Sequence, residues 1–285
     1  AARVAAVRGH SVTLLEKSPH LGGTARFSSL TTPMNAQFVR YLMTEISRLD
    51  VDIRTSTPVT ATLLRELNAD VVIVATGARR ERPDVPGSTL PHVFSGDDLR
   101  ALLTGDDPTA AARLPIHRRL IVSIGRSLGL MSNMDRVRSM SKRWMPIGKR
   151  VVVVGGGLVG VELAEYLAER GRSVTVLEAG ERLGLEMAHP RRARAVHEAR
   201  NHGVEFITGA ELVSITQSNV SYRVGEDAHT VRADAVVIAS GVHTDHSIAE
   251  QLIADGFEVQ VVGDAVSVGY IEGAVRTGYL AGRSL

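Results

Sequence analysis

Short apolar runs, each bounded by glycine or charged residues, recur along the chain and predict buried strands. The stretch 8–16 has the pattern of a helix end, a glycine stop, an apolar strand and a terminal Glu16. The stretch 170–178 repeats this pattern at an offset of 162 residues and ends in Glu178. Continuous apolar strands of this kind are typical of a parallel sheet that is covered on both faces.

A second pair of similar stretches follows at nearly the same distance. Residues 69–77 resemble residues 233–241 at an offset of 164 residues. Two ordered matches at almost one offset indicate two units of similar fold in tandem. The sequence therefore predicts an α/β protein with two Rossmann-like dinucleotide-binding units.

The second unit contains a glycine loop in the context that phosphate binding requires. The apolar run 151–154 precedes glycines at 155, 156, 157 and 160, and a helical pattern follows. Gly155 permits the tight turn, Gly157 lets the backbone approach a pyrophosphate, and Gly160 allows close packing of helix on strand. The free amides at the helix N-terminus can donate hydrogen bonds to the phosphates. We expect an NAD(P) site here.

Four more residues complete this predicted NAD(P) site. Glu178 lies 23 residues beyond Gly155 at a strand end, where its carboxylate can accept hydrogen bonds from a ribose. The others belong to the loop, the helix and the second strand end: Val159, Glu162 and Gly241. Glu162 has two equal interpretations, a carboxylate that approaches the nicotinamide, as in related flavoproteins, and a first-turn carboxylate that complements the helix dipole.

The choice of nucleotide depends on the residues around Glu178. A carboxylate favours a 2′-hydroxyl and repels a 2′-phosphate, so we favour NADH. Arg182, four residues further on, offers the alternative of binding the phosphate of NADPH.

The same fingerprint, projected back by the repeat offset, falls before residue 1. We therefore expect residues 1–7 to be the remainder of the helix that follows a first glycine loop, with Gly9 as its stop. The first unit would then lack its opening strand and its glycine loop. Glu16 is its ribose-binding acid by the same spacing argument.

Asp264, after the strand-like run 259–262, has the pattern of a helix N-cap when it is considered alone.

The first unit resembles the FAD-binding half of two-dinucleotide flavoproteins. The resemblance rests on Glu16, the Gly22-Gly23 pair, the stretch 75–77 and Gly263-Asp264. It implies that Glu16 binds the adenosine ribose and that Asp264 binds the ribityl chain of FAD. We expect the FAD site to comprise these residues: Glu16, Lys17, Gly22, Gly23, Thr24, Thr76, Gly77, Gly263 and Asp264.

Within that group, the chain is most similar to the C-terminal region of the NADH:flavin oxidoreductases related to old yellow enzyme. These include 2,4-dienoyl-CoA reductases, enoate reductases and trimethylamine dehydrogenase. The similarity rests on residues 21–26, 144–165 and 182–192. In that family an N-terminal barrel holds FMN and a 4Fe-4S cluster, and nothing in this sequence corresponds to it.

The repeat and the motifs divide the chain into four predicted segments. Residues 1–103 form the first part of the FAD unit, and residues 104–149 form a basic helical connector. Residues 150–242 form the NAD(P) domain, and residues 243–285 return to the FAD unit.

Composition narrows the chemistry. The 285 residues include no cysteine, which excludes a disulfide, a thiol nucleophile and an iron–sulfur cluster within this sequence. The ten histidines show no metal-ligand spacing, and the pair His243 and His246 lacks a third ligand, so we expect no metal. No residue stands out as an acid, base or nucleophile, so we assign no catalytic residue, and redox chemistry falls to bound cofactors.

The connector is strongly basic. Residues 113–150 contain ten Lys or Arg and one acid, Asp135. Apolar residues recur there at helical spacing: Ile116, Leu120, Ile124, Leu128 and Met131. We favour a packed helical hairpin with a solvated basic face. Contact with a membrane surface or docking of a partner is the less favoured alternative, and the segment lacks the aromatic pattern of a nucleic-acid site.

These observations leave three functional hypotheses. The first is the electron-input part of an oxidoreductase, which passes hydride from NADH to FAD and onward to an FMN barrel that reduces activated C=C bonds. The second is a non-catalytic remnant that binds a dinucleotide, and the third is a free-standing FAD-dependent NADH:acceptor reductase. For all three we expect a cytoplasmic location and no nucleic acid. The substrate would be a small molecule, and the full-length form would be a homo-oligomer.

Overall fold

The computed structural model describes residues 1–104 and 108–285. In these stretches the chain forms helices α1 Ala2–Val7, α2 Gly23–Ser28, α3 Met34–Ser47, α4 Ala61–Glu66, α5 Gly96–Thr104, α6 Ile116–Ser127, α7 Met134–Ser141, α8 Leu158–Ala168, α9 His189–Asn201, α10 Ser247–Ala254 and α11 Tyr270–Ser284. Short 3₁₀ helices span Pro108–Arg113, Leu130–Ser132 and Gly263–Ala265.

The strands alternate with these helices, as an α/β fold requires. They are β1 Val12–Leu15, β2 Val51–Arg54, β3 Val71–Val74, β4 Ala78–Arg80, β5 Val93–Ser95, β6 Arg150–Val154, β7 Ser173–Glu178, β8 Glu205–Thr208, β9 Ala210–Ile215, β10 Asn219–Val224, β11 Asp227–Arg232, β12 Ala235–Ile238, β13 Val242–Thr244 and β14 Glu258–Val261. The predicted strands of both repeat pairs are all present.

The chain divides into two compact units. Unit 1 comprises Ala1–Arg26, Met34–Arg79 and Val242–Leu285, and unit 2 comprises Phe27–Pro33 and Arg80–Gly241. These divisions differ from the four predicted segments, because residues 80–103 and the described part of the connector belong to unit 2. The physical reason is that β5 pairs with β12 in the sheet of unit 2. Connector residues 105–107 lie outside the described residues.

Unit 2 is built on a five-stranded parallel sheet with the order β5-β12-β6-β7-β8. Strand β6 is buried from Val151 onward, and β12 is buried throughout. Such burial on both faces explains why these strands are almost purely aliphatic. An antiparallel three-stranded sheet, with the order β11-β10-β9, completes the unit and was not predicted.

Unit 1 has a less continuous sheet. Strands β1 and β2 form one parallel pair, and β3 and β14 form another. Strand β4 pairs with β13. The sequence predicts a buried β1, but β1 is only half-buried, with Thr13 exposed. The burial prediction is wrong here because a two-stranded pair covers less of each strand than the five-stranded sheet of unit 2.

Helix α6 of the connector forms as its apolar spacing predicts, but its packing is the reverse of the prediction. Val122 is buried, whereas Ile116 and Ile124 are 78% and 57% exposed. Leu120 and Leu128 are also exposed, and only Met131 of the five recurring residues packs against the core. Val122 lies about 200° around the helix from both Leu120 and Ile124, so the buried side of α6 is opposite the apolar stripe.

No helix within residues 1–104 and 108–285 combines the length and the apolar character needed to cross a membrane.

Candidate functional site

The glycine loop of unit 2 joins β6 to α8. Gly155 has a φ of +105°, a conformation that glycine adopts freely, and its N–H donates to the Leu177 carbonyl at 2.8 Å. A Cβ on Gly160 would lie 1.9 Å from the Gly155 carbonyl oxygen. The roles predicted for these two glycines, a tight turn and a close approach of helix to strand, agree with this geometry.

Glu178 ends β7 beside the loop. Its carboxylate accepts hydrogen bonds from the Gly156 N–H at 2.5 Å and from the Gly180 N–H at 2.7 Å. The structure therefore brings Glu178 to the glycine loop, as the dinucleotide interpretation requires. These two amides use part of the acceptor capacity of the carboxylate and leave lone pairs for a ribose.

The turn between β7 and α9 folds back over the loop. The Gly184 N–H donates to the Gly156 carbonyl at 2.8 Å, and Leu183 and Met187 are buried against Val161 of α8. Leu158 is the first residue of α8. Its N–H donates a hydrogen bond to the carboxylate of Glu186, which lies on this turn, at 3.0 Å. Sequence reasoning missed Glu186 as a site residue, because the spacing within an irregular turn gives no periodic signal.

Glu162 lies further along α8. It is the fifth residue of the helix, so the first-turn interpretation is wrong, since the dipole effect falls off beyond the first turn. Its carboxylate pairs with Arg191 of α9 and accepts a hydrogen bond from the Thr31 hydroxyl at 3.3 Å. Sequence reasoning did not identify Arg191 or Thr31, which are distant in sequence and brought to Glu162 by the fold.

The other two predicted residues of unit 2 lie at the edges of the loop. Val159 is the second residue of α8 and is half-buried. Gly241 follows β12 with a φ of +71°, and its carbonyl accepts from the Glu81 N–H at 2.9 Å. Ser240, next to it, lies against Gly155, because a Cβ on Gly155 would come within 3.0 Å of the Ser240 Cβ.

In unit 1, two of the predicted groups lie side by side. Thr76-Gly77 follows β3 and Gly263-Asp264 follows β14, and these two strands pair in register. The Val262 N–H donates to the Val74 carbonyl at 2.9 Å, which extends the pairing to the strand ends. The carboxyl ends of parallel strands are where ligands bind in open α/β sheets.

The carboxylate of Asp264 has a structural partner. Its Oδ1 accepts from the Gly269 N–H at 2.9 Å, and Gly269 is the N-cap residue of α11. The N-cap interpretation of Asp264 itself is therefore wrong, because the residue lies in a 3₁₀ turn that precedes the helix. The Gly263 N–H donates to the Thr277 hydroxyl at 2.8 Å and ties this turn to α11.

The remaining predicted residues of unit 1 belong to the segment after β1. Glu16 accepts a hydrogen bond from the Ser18 N–H at 2.8 Å, and Lys17 is exposed. Gly22 has a φ of +106°, and Gly23 begins α2 in open space. Thr24 is exposed in the first turn of that helix.

Among the described residues, no three His, Asp or Glu side chains come together in a way that could hold a metal ion.

The chain is similar to known proteins in both sequence and fold. Residues 1–263 match the family model described as pyridine nucleotide-disulphide oxidoreductase. A bilirubin reductase from Mediterraneibacter gnavus is 32% identical over 91% of this chain and 34% of its own length. An NADH oxidase from Thermoanaerobacter brockii is 30% identical over 92% of this chain and 35% of its own length.

A solved structure of a 2-naphthoyl-CoA reductase in complex with 2-naphthoyl-CoA superimposes with a TM-score of 0.78 at 25% identity. The superposition covers all of this chain and 37% of the reductase chain. The chain thus spans about a third of the length of the curated relatives it matches.

Proposed function

Because the chain belongs to the pyridine nucleotide-disulphide oxidoreductase family, we propose that it is the electron-input part of an FAD-dependent NAD(P)H oxidoreductase. The observation that supports the proposal is the loop of unit 2, where Gly160 packs closely on Gly155 and the Glu178 carboxylate accepts a hydrogen bond from the Gly156 amide. The name of the family includes disulphide chemistry, but this sequence contains no cysteine, so no redox-active disulfide belongs to it.

When both cofactors are bound, NAD(P)H supplies a hydride and FAD accepts it. The role of this chain is to bind NAD(P)H and FAD and to orient them toward each other. In unit 2 the amides at the start of α8 would hold the pyrophosphate, and Glu178 would hold the adenosine ribose. We propose NADH over NADPH, because the Glu178 carboxylate repels a 2′-phosphate.

Unit 1 offers residues that fit FAD. Gly77 and Asp264 follow the two strands of a parallel pair, and one carboxylate oxygen of Asp264 accepts a hydrogen bond from the Gly269 amide. The other oxygen and the open space at Gly77 suit a ribityl chain. Glu16 would bind the adenosine ribose, with its orientation maintained by the Ser18 amide.

We further propose that electrons pass onward in a full-length protein to an FMN-bearing barrel, with a 4Fe-4S cluster, that reduces activated C=C bonds. The support is the resemblance to the relatives of old yellow enzyme and the reductase names of the matches. A small-molecule substrate, a homo-oligomeric full-length form and a cytoplasmic location are parts of the same proposal.

The NAD(P) half is tested by the variant Gly157→Ala. The nearest atoms to a Cβ at this position belong to the carboxylate of Glu186, with its Oε1 at 2.7 Å, and that flexible side chain can move. The fold should therefore tolerate the methyl group, while the backbone can no longer approach a pyrophosphate. We expect the Kd of NADH, measured by calorimetry, to rise at least tenfold.

Gly125→Ala is the matched control, since its Cβ would meet only the Met131 Cε at an ordinary 3.9 Å. It should leave the Kd unchanged. If the wild-type chain does not bind NADH at millimolar concentration, the NAD(P) half of the proposal is wrong.

The FAD half is tested by titration of the purified chain with FAD and by NADH oxidation with a dye as acceptor. Binding of FAD with turnover supports the electron-input function, and turnover with a soluble acceptor alone supports the free-standing reductase. A chain that binds NADH but never FAD supports the non-catalytic remnant. The separate strand pairs of unit 1 are the observation that favours this last alternative.

A further inference from the structure

The carboxylate of Glu186 lies over the start of α8. Its Oε2 accepts from the Leu158 N–H at 3.0 Å. Its Oε1 lies 2.7 Å from the position that a Cβ on Gly157 would take. The carboxylate thus fills the space that the missing side chain of Gly157 leaves open.

The pyrophosphate of a dinucleotide requires the same space. Both anions are attracted by the free amides and the positive end of the helix dipole, so only one of them can occupy the position at a time. Dinucleotide binding at this loop therefore requires the Glu186 carboxylate to leave it.

The surrounding turn restricts this movement to the side chain. The Gly184 N–H donates to the Gly156 carbonyl, and the side chains of Leu183 and Met187 in the same turn are buried. The backbone that carries Glu186 is therefore held in place. Glu186 itself is exposed, so its carboxylate can rotate into water without disturbing the packing.

On the premise of the proposed function, that NADH binds at this loop, we propose that Glu186 is an internal competitor of the pyrophosphate. The carboxylate caps α8 in the free chain and lowers the apparent affinity for the dinucleotide. If one fifth of the free molecules are uncapped, the apparent Kd is about fivefold above the intrinsic value.

A purely structural role for Glu186 makes a different prediction. A helix cap contributes to stability, so its loss would lower the melting temperature and leave the affinity unchanged. An internal competitor also changes the affinity, and only for ligands that carry a phosphate group at the loop. The two roles are therefore separated by measuring affinity and melting temperature together.

The test is calorimetric titration of NADH, ADP and adenosine into the wild-type chain and Glu186→Gln. The glutamine keeps the size of the side chain and removes its charge. Glu181→Gln is the control, because Glu181 is an exposed acid on the same turn and the substitution changes the net charge equally. Each titration is run at low and at high salt.

We expect Glu186→Gln to bind NADH and ADP about three- to tenfold more tightly and adenosine equally well. The gain should shrink at high salt, because the competition is electrostatic and is screened. The control should stay within about twofold of the wild type.

An unchanged or weaker affinity of Glu186→Gln for NADH and ADP would overturn the proposal, while NADH binding by the wild type would leave the proposed function intact. An equal gain in Glu181→Gln would also overturn it, since general charge would then explain the effect. If no variant binds NADH or ADP, the proposed function itself fails and this inference falls with it.

Discussion

Gly160 lies so close to Gly155 that a Cβ at position 160 would come within 1.9 Å of the Gly155 carbonyl oxygen and 2.9 Å of its carbonyl carbon. The neighbouring atoms belong to the backbone of a buried loop, so they cannot move aside as a flexible side chain would. Glycine is therefore required at position 160 for packing, independently of any ligand.

We predict that Gly160→Ala lowers the free energy of unfolding by about 3 kcal/mol, at the upper end of the cost of overpacking. Gly125→Ala, in the interior of α6, should be neutral or raise it by up to about 1 kcal/mol through helix propensity. Urea unfolding followed by circular dichroism measures both. Equal stability of the two variants would show that the contact between Gly160 and Gly155 is not tight.

Much of this part of the fold follows from the sequence, because local rules govern it. The four valines of β6, the turn at Gly155 and the close approach at Gly160 each leave a mark at a defined spacing. Strands β3 and β12 were likewise predicted, since apolar runs that end in glycine are typical of parallel strands.

The rest could not be predicted, because it depends on contacts between segments distant in sequence. The Arg191 and Thr31 partners of Glu162 come from different elements. Glu186 reaches α8 through an irregular turn whose path has no periodicity. Apolar spacing in α6 predicts a helix but does not decide which side faces the core.

Nucleotide preference gives a second prediction, centred on Glu178. We expect the wild type to bind NADH more tightly than NADPH, and Glu178→Gln to narrow this preference three- to tenfold, or roughly 0.7 to 1.4 kcal/mol. The reason is that the substitution removes the charge that repels a 2′-phosphate. Calorimetric Kd values for both nucleotides provide the measurement.

Arg182→Gln is the companion variant, because Arg182 is exposed four residues beyond Glu178. It should leave NADH binding unchanged. A wild type that prefers NADPH tenfold, with a loss of that preference in Arg182→Gln, would contradict the NADH assignment and support a phosphate-binding arginine.

Acid sensitivity is predicted at Asp98, at the start of α5. Burial alone would raise the pKa of Asp98. Hydrogen bonds from the Ser95 amide and hydroxyl, together with the positive charges of Arg113 and Arg82, hold that pKa below its usual value. The Asp98 N–H in turn donates to the Ser95 hydroxyl at 3.1 Å, which completes a reciprocal capping arrangement.

Because the folded-state pKa of Asp98 is lowered, its contribution to stability is present above the unfolded pKa of about 3.9 and is lost as pH falls through the folded value. We predict that Asp98→Asn is about 2 kcal/mol less stable than the wild type at pH 7. The difference should shrink steadily below about pH 4. Chemical unfolding at several pH values measures it, and a difference that is independent of pH would contradict the assignment.

The orientation of α6 gives the last prediction, from two β-branched residues two positions apart. Val122 is buried and Ile124 is 57% exposed, so the same change to serine tests which side faces the core. Val122→Ser should cost about 2 kcal/mol of unfolding free energy, through lost apolar burial and a buried hydroxyl. Ile124→Ser should stay within about 0.5 kcal/mol, as is usual for surface substitutions. Thermal or urea unfolding of both variants decides the matter, and the reverse order of stabilities would mean that α6 packs through the apolar stripe that its sequence spacing suggests.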